Sequence, residues 1–357
     1  MDVAVLGATG DVGRQVCTQL VERALLPTSS RLQLVGRSDG PSARATHGLR
    51  ADLVDAYDEH APIIDVALDP ADVVADVVVV AAGRTHPPEG GSTDRSQLAA
   101  SNAPVFRAYA DALAAHGSGS EVVVVVTNPV ELGVEILARR LGRDRVIGMG
   151  AWLDTLRFRR EVAVSLGVRR HRVGGFVGGE HGPGAVPLWS SVRVGGLSVA
   201  ERERAVARAR GPRTLDDFPA EVAAAQRHLA TLDMAEAFRW VDTLPPDLRV
   251  VVRPYLTHRS GAKTPTGTAA ATIDLIDTIL DGRDMIVAGQ VLLDGEVAVG
   301  GAPVHGVLGV PVVLGPEGWT RVLLDEPSPD EDRRLAEVAG SVAAALDLWT
   351  APRDAGA

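Results

Sequence analysis

Over the first 150 residues, short apolar runs alternate with stretches in which apolar positions recur at helical spacing. Val3–Leu6 is one such run. Around residues 13–25, Val12, Val16, Leu20 and Leu25 then fall on one helical face. Leu32–Val35, Val77–Ala82 and Val122–Val126 are further strand candidates. The last two are unbroken Val-rich runs without polar alternation, the pattern of parallel strands covered on both faces. Helical stretches near 95–116 and 130–142 separate or follow them. Strand–helix alternation of this kind predicts an α/β fold with a doubly wound parallel sheet. After about residue 150 the rhythm changes. A helix over about 152–167 leads to a strand at Val173–Gly178 and then to irregular, charged sequence. An Arg/Glu/Ala-rich helix follows, with a break at Gly211-Pro212 and a turn at Pro245-Pro246. A helix over about 268–281, hairpin strands to about 324 and an amphipathic helix over about 329–348 complete the pattern. Two units are expected, 1–150 and 151–350, with a disordered tail over 351–357.

Composition narrows this to a globular protein. In 357 residues, 46% apolar and 23% charged, there is enough apolar surface for a large core. A net charge of -10 argues against a nucleic-acid partner, because phosphate neutralisation needs excess Lys and Arg. Cys17 is the single cysteine, so no intrachain disulfide and no Cys-rich metal site can form, and no metal is expected. Met1 to Val5 enter the first strand without a basic leader, and no apolar run reaches membrane-spanning length. The expectation is a soluble, cytoplasmic chain with neither nucleic acid nor membrane as partner.

The first candidate chemistry lies between the first strand and the first helix. Gly7-Ala-Thr-Gly10-Asp11-Val12-Gly13 spaces its glycines where a sharp turn must bring backbone close to a pyrophosphate, with a helix N-terminus behind it. A tight turn without ligand is the alternative. Short-chain reductases carry such a loop together with a Tyr-x-x-x-Lys pair. Four residues beyond Tyr57, Tyr109 and Tyr255 stand Ala61, Leu113 and Arg259, so that pair is absent.

Three later segments point elsewhere: Val126-Thr127-Asn128-Pro129-Val130; Leu153-Asp154-Thr155-Leu156-Arg157-Phe158; and Gly179-Glu180-His181-Gly182 running on to Val186-Pro187-Leu188-Trp189-Ser190. In this order behind a Gly-rich loop, they resemble the signatures of the lactate/malate dehydrogenase family, most closely its NADP-accepting, archaeal-like malate dehydrogenases. The resemblance covers most of the chain. It implies a Rossmann-type dinucleotide-binding domain over 1–150 and a mixed α/β substrate domain over 151–350. It assigns His181 as acid/base, Asp154 as the carboxylate that orients it, and Arg157 as the grip on the substrate's C1 carboxylate. The residue types suit these roles, since an imidazole ordinarily titrates near neutral pH, and a guanidinium binds a carboxylate through two parallel hydrogen bonds. Gly7, Gly10, Asp11, Val12, Gly13, Asn102, Thr127 and Asn128 are the implied cofactor residues, Asn128 also facing substrate. Counting back from Asn102 places Arg95 on the arginine of the family's mobile loop that polarises the substrate carbonyl, and the resemblance implies a homodimer or homotetramer.

The chain also departs from the pattern. The loop after Ala82 is three residues longer than usual, and the arginine that reads a distal carboxylate is missing. His86, Glu89 and Arg84 compete for that place. Pro183 replaces a nearby acid, and residues 190–265 are long and match poorly. Thr264, Thr266 and Thr268 either line the far side of the substrate site or begin a helix. At the end of the second strand, where NAD-selective enzymes place Asp or Glu, stand Gly36, Arg37 and Ser38. A guanidinium there favours a 2′-phosphate, so NADP is expected ahead of NAD, with Arg44 as a second cation and Gly36→Asp as the change that would invert the preference. The reading is hydride transfer between NADP(H) or NAD(H) and a small 2-oxo/2-hydroxy acid, oxaloacetate/malate first. A lactate-like or larger acid and a non-catalytic dinucleotide-binding protein are the alternatives.

Overall fold

The computed structural model describes residues 1–85 and 95–351. His86 and Glu89 therefore lie outside the described residues, as does all of the expected tail except Ala351. The first half alternates β1 (Val3–Leu6), α1 (Asp11–Glu22), β2 (Arg31–Val35), α2 (Gly40–Tyr57), β3 (Ile63–Ala67), β4 (Val77–Val80), α3 (Arg95–His116), β5 (Val122–Val125), α4 (Val130–Leu141) and β6 (Val146–Gly148). The strands β3-β2-β1-β4-β5-β6 lie side by side and pair in parallel, with Val3 opposite both Leu32 and Val77. This is the doubly wound dinucleotide-binding order. The Val runs of β4 and β5 are fully buried, as their lack of polar alternation required. The expected elements are present, and α2, β3 and β6 are added to them. The strand before the long loop is thus the fourth of the sheet and not the third.

Beyond α5 (Gly150–Leu166) come β7 (Val173–Gly179) and β8 (Ala185–Val194), then four helices, α6 (Val199–Arg210), α7 (Phe218–Thr231), α8 (Met234–Val241) and α9 (Pro246–Arg259). After these follow α10 (Pro265–Asp281), β9 (Met285–Val299), β10 (Ala302–Gly315), β11 (Gly318–Val322) and α11 (Pro329–Thr350). These later strands are antiparallel. They continue the same sheet, because β9 pairs with β6 at Gly148↔Gln290, followed by β10, β7 and β8, with β11 on the flank of β10. The region that matched poorly is helical. α7, α8 and α9 enclose a small core of Ala225, Leu229, Ala237, Val241, Val252 and Leu256, separate from the main one. Buried polar ties hold it to the rest: Arg249 pairs with Glu161 of α5 at 2.9 Å, and Arg213 with Asp247 at 2.8 Å. Asp247 also accepts the Trp189 indole N–H at 3.3 Å. Among the described residues no helix is long and apolar enough to cross a membrane.

Candidate active site

The Gly-rich loop leaves β1 and enters α1. Gly7 has φ +76°, and a Cβ there would lie 2.7 Å from the Ala82 Cα, so the turn admits no side chain. A Cβ on Gly13 would meet the Gly7 carbonyl oxygen at 2.2 Å, which packs the first turn of α1 directly on the loop. Gly10 is the N-cap and no side chain caps the helix. The first N–H groups of α1, at Asp11, Val12 and Gly13, have no acceptor within the helix itself. A turn with glycine at positions 7, 10 and 13 in front of an uncapped helix end fits a dinucleotide pyrophosphate.

On α3, against the ends of β4 and β5, Asn102 is fully buried. Its Oδ1 accepts from Arg84 N at 2.7 Å and its Nδ2 donates to the carbonyls of Arg84 (3.0 Å) and Asn128 (2.7 Å). Thr127 Oγ1 donates to the Val80 and Ala82 carbonyls, bridging the ends of β4 and β5. Asn102 and Thr127 thus shape the backbone around the cleft, and the side chain of Asn128 is exposed. Arg84 is also exposed.

The catalytic candidates meet where α5 faces the turn between β7 and β8. Asp154 and Arg157 are one helical turn apart on α5, and Thr155 Oγ1 accepts from Val177 N at 2.9 Å, fixing β7 against that helix. His181 in the following turn is thereby delivered to Asp154, its Nδ1 lying 2.8 Å from Oδ2. The other carboxylate oxygen takes Arg157 Nη1 at 2.9 Å. Asp154 is only 3% exposed at its side chain. Burial alone would raise its carboxyl pKa, but the His181 and Arg157 charges and hydrogen bonds outweigh this and hold it below the ordinary carboxylate range. With Nδ1 committed to Asp154, Nε2 is the ring nitrogen left for a reacting group.

Three residues that sequence reasoning passed over complete this arrangement. Glu131, buried in the first turn of α4, accepts from His181 N at 2.7 Å and pairs with Arg95 at 2.7 Å. Glu180 pairs with Arg95 from another side at 2.6 Å. Burial pushes the Glu180 carboxyl above its ordinary range, Glu131 adds to this, and Arg95 opposes it. Gly150 is the third: a Cβ there would lie 2.5 Å from both Cβ and Cγ of His181. Glu131 directly follows Thr127-Asn128-Pro129-Val130, and Glu180 directly precedes His181. Both were legible as residues, but not as partners of Arg95. Arg95 itself, the first residue of α3, also donates to the His181 carbonyl at 3.2 Å and lies 5.9 Å from the Trp349 ring of α11.

The β2–α2 turn is tightly packed at its first residue. A Cβ on Gly36 would sit 2.2 Å from Thr46 Oγ1, and Thr46 is fully buried in α2. Close packing therefore favours glycine here as well, and Gly36→Asp requires the Thr46 side chain to give way. Arg37 is 74% exposed and 3.6 Å from Asp39, and Ser38 is exposed beside it. Further along the chain, Thr264 is the N-cap of α10 without a side-chain capping bond, and Thr268 Oγ1 donates to its carbonyl at 3.0 Å. The Thr266 carbonyl accepts from Gln19 of α1 at 3.4 Å.

A doubly wound sheet with a phosphate-fitting turn, continued by a unit that presents a carboxylate-backed imidazole beside an arginine, defines a nicotinamide-dependent oxidoreductase. Comparison with known proteins agrees. Residues 1–148 match the model of the lactate/malate dehydrogenase NAD binding domain. The malate dehydrogenase of Methanothermobacter marburgensis is 30% identical over 357 aligned positions, covering 96% of this chain and 95% of that protein. The L-2-hydroxycarboxylate dehydrogenase (NAD(P)(+)) of Methanocaldococcus jannaschii is 27% identical, covering 95% of this chain and 96% of that one. In fold, the crystal structure of the Cryptosporidium parvum lactate dehydrogenase, complexed with lactic acid and nicotinamide adenine dinucleotide, superposes with a TM-score of 0.74 at 22% identity, covering 98% of each chain. The chain belongs to the lactate/malate dehydrogenase family.

Proposed function

We propose that this chain catalyses reversible hydride transfer between a nicotinamide dinucleotide, NADP(H) ahead of NAD(H), and a small 2-oxo/2-hydroxy acid, oxaloacetate/malate first. The observation that carries the reading is the Asp154 carboxylate shared between His181 Nδ1 and Arg157 Nη1. Residues 1–150 hold the dinucleotide, at the Gly7–Gly13 turn, and residues 151–350 hold the acid. Bound nicotinamide supplies or accepts the hydride. His181 Nε2 gives a proton to the substrate oxygen in reduction and takes it back in oxidation, while Asp154 fixes the ring and stabilises its charged form. Arg157 spends one N–H on Asp154, and its remaining donors take the substrate's C1 carboxylate. Arg95 polarises the carbonyl once substrate oxygen replaces its carboxylate partners Glu131 and Glu180.

Malate ranks first because the chain resembles a malate dehydrogenase over nearly its whole length. The longer loop and the lost distal arginine support a second reading, a lactate-like or larger 2-oxo acid. NADP ranks ahead of NAD because β2 ends in Gly36-Arg37-Ser38 without a carboxylate. A cytoplasmic homodimer or homotetramer is part of the same proposal. The test is a panel of 2-oxo acids assayed with NADPH and NADH side by side. Turnover of oxaloacetate with NADPH, at higher kcat/KM than with NADH, is the expected result. A chain that binds dinucleotide and reduces no 2-oxo acid would be a binding protein, and the proposal would fail.

A further inference from the structure

Of the 36 basic residues in this chain one alone is a lysine, Lys263. It stands in the segment between α9 and α10, where the C-terminal half passes over α1. Its Nζ lies 2.5 Å from Oδ2 of Asp11, a residue 252 positions earlier in the chain. The hydrogen bond from Gln19 to the Thr266 carbonyl and the packing of α10 on α1 hold the segment in place. Asp11 opens α1 directly after Gly10, at the helix end that fits the pyrophosphate. There a carboxylate suits an empty helix N-terminus, through the helix dipole, but opposes any anion docking on it. We propose that Lys263 is a cofactor-affinity residue that acts through Asp11. It cancels the carboxylate charge at the mouth of the Gly-rich loop and so keeps that helix end attractive to the dinucleotide's phosphates. Side-chain exposures of 52% and 56% mean that the effect is electrostatic and screened by salt.

This inference rests on the Gly-rich loop being the dinucleotide site, and the experiment separates the two. NADPH and NADH are titrated by nucleotide fluorescence into the full chain, as wild type, Lys263→Met, Asp11→Asn and the double variant. Each is measured at about 20 mM and about 300 mM salt. At low salt, Lys263→Met weakens both dinucleotides roughly five- to ten-fold, as an uncompensated charge near the phosphates should, and high salt narrows the gap. Asp11→Asn keeps the Asp11 backbone N–H at the helix end and removes only the carboxylate charge, so it binds at least as tightly as wild type, and the double variant returns to about two-fold of wild type. That recovery is the result a merely structural lysine would not give. Lys263→Met binding like wild type at low salt would overturn the proposal. A double variant as weak as Lys263→Met would also overturn it, showing that the lysine does not act through Asp11. Wild type that binds neither dinucleotide would instead remove the underlying reading of the loop, and this inference with it.

Discussion

At His181 three constraints from separate parts of the chain converge: Asp154 takes Nδ1, Glu131 takes the backbone N–H, and Gly150 leaves room for the ring. The side chain is therefore held in one orientation before substrate arrives, which is what a general acid requires. His181→Gln should lower kcat by about 10²- to 10⁴-fold, the usual range for a lost acid/base. Dinucleotide affinity, measured by fluorescence titration, should stay the same, and activity like wild type would refute the assignment. Asp154 makes a second prediction, about acid stability. Its carboxyl titrates lower in the folded chain than the ordinary value it has when unfolded. Its ionised form therefore stabilises the fold fully above about pH 4–5, and that contribution is lost as pH falls through the lower, folded value. Denaturant melts of wild type and Asp154→Asn should differ most near neutrality and converge as the solution is acidified. A gap that widened in acid would contradict the direction of the shift.

Among the elements, the β2–α2 turn carries the cofactor question. Arg37 and Ser38 are exposed, whereas a side chain at Gly36 must also compete with Thr46, so Arg37 is the cleaner residue to test. Arg37→Ala should weaken NADPH by about ten- to a hundred-fold, the worth of one charge-assisted contact to phosphate, and leave NADH nearly unchanged. Equal losses for both would show that the arginine does not read the 2′-position. How far each element was legible depended on its partner. β4 and β5 announced themselves because strands covered on both faces need unbroken apolar runs. α3 was readable from its helical spacing. β3 escaped because Asp65 interrupts a run of five residues whose first, Ile63, is exposed. α7, α8 and α9 were illegible for another reason. Their apolar stripes are short and face one another, and no single window of sequence shows that mutual burial. The motif residues of the site could be read along the chain, whereas Glu131, Glu180 and Gly150 acquire meaning only through the neighbours that folding brings to them.

Across the whole molecule, the parallel and antiparallel halves share one sheet, joined where β6 meets β9. The main hydrophobic core is likewise continuous, including Val5 of β1, Val124 of β5, Val291 of β9 and Leu335 of α11. A chain built this way has no plane along which one half can melt and leave the other intact. Calorimetry without dinucleotide should show a single unfolding transition. Two resolved transitions would mean that the halves are energetically independent despite the shared sheet.

The junction at β6 also has a consequence for synthesis. β6 ends at Gly148, but the strand that covers its outer side begins only at Met285. While the ribosome makes the intervening residues, the newly emerged N-terminal half carries a buried-type strand, Val146-Ile147-Gly148, paired with β5 on one side and open on the other. Such a border is a template for pairing with another chain's strand until β9 arrives. A message truncated anywhere between these two strands would yield an aggregating product, even though it encodes every residue of the nucleotide loop.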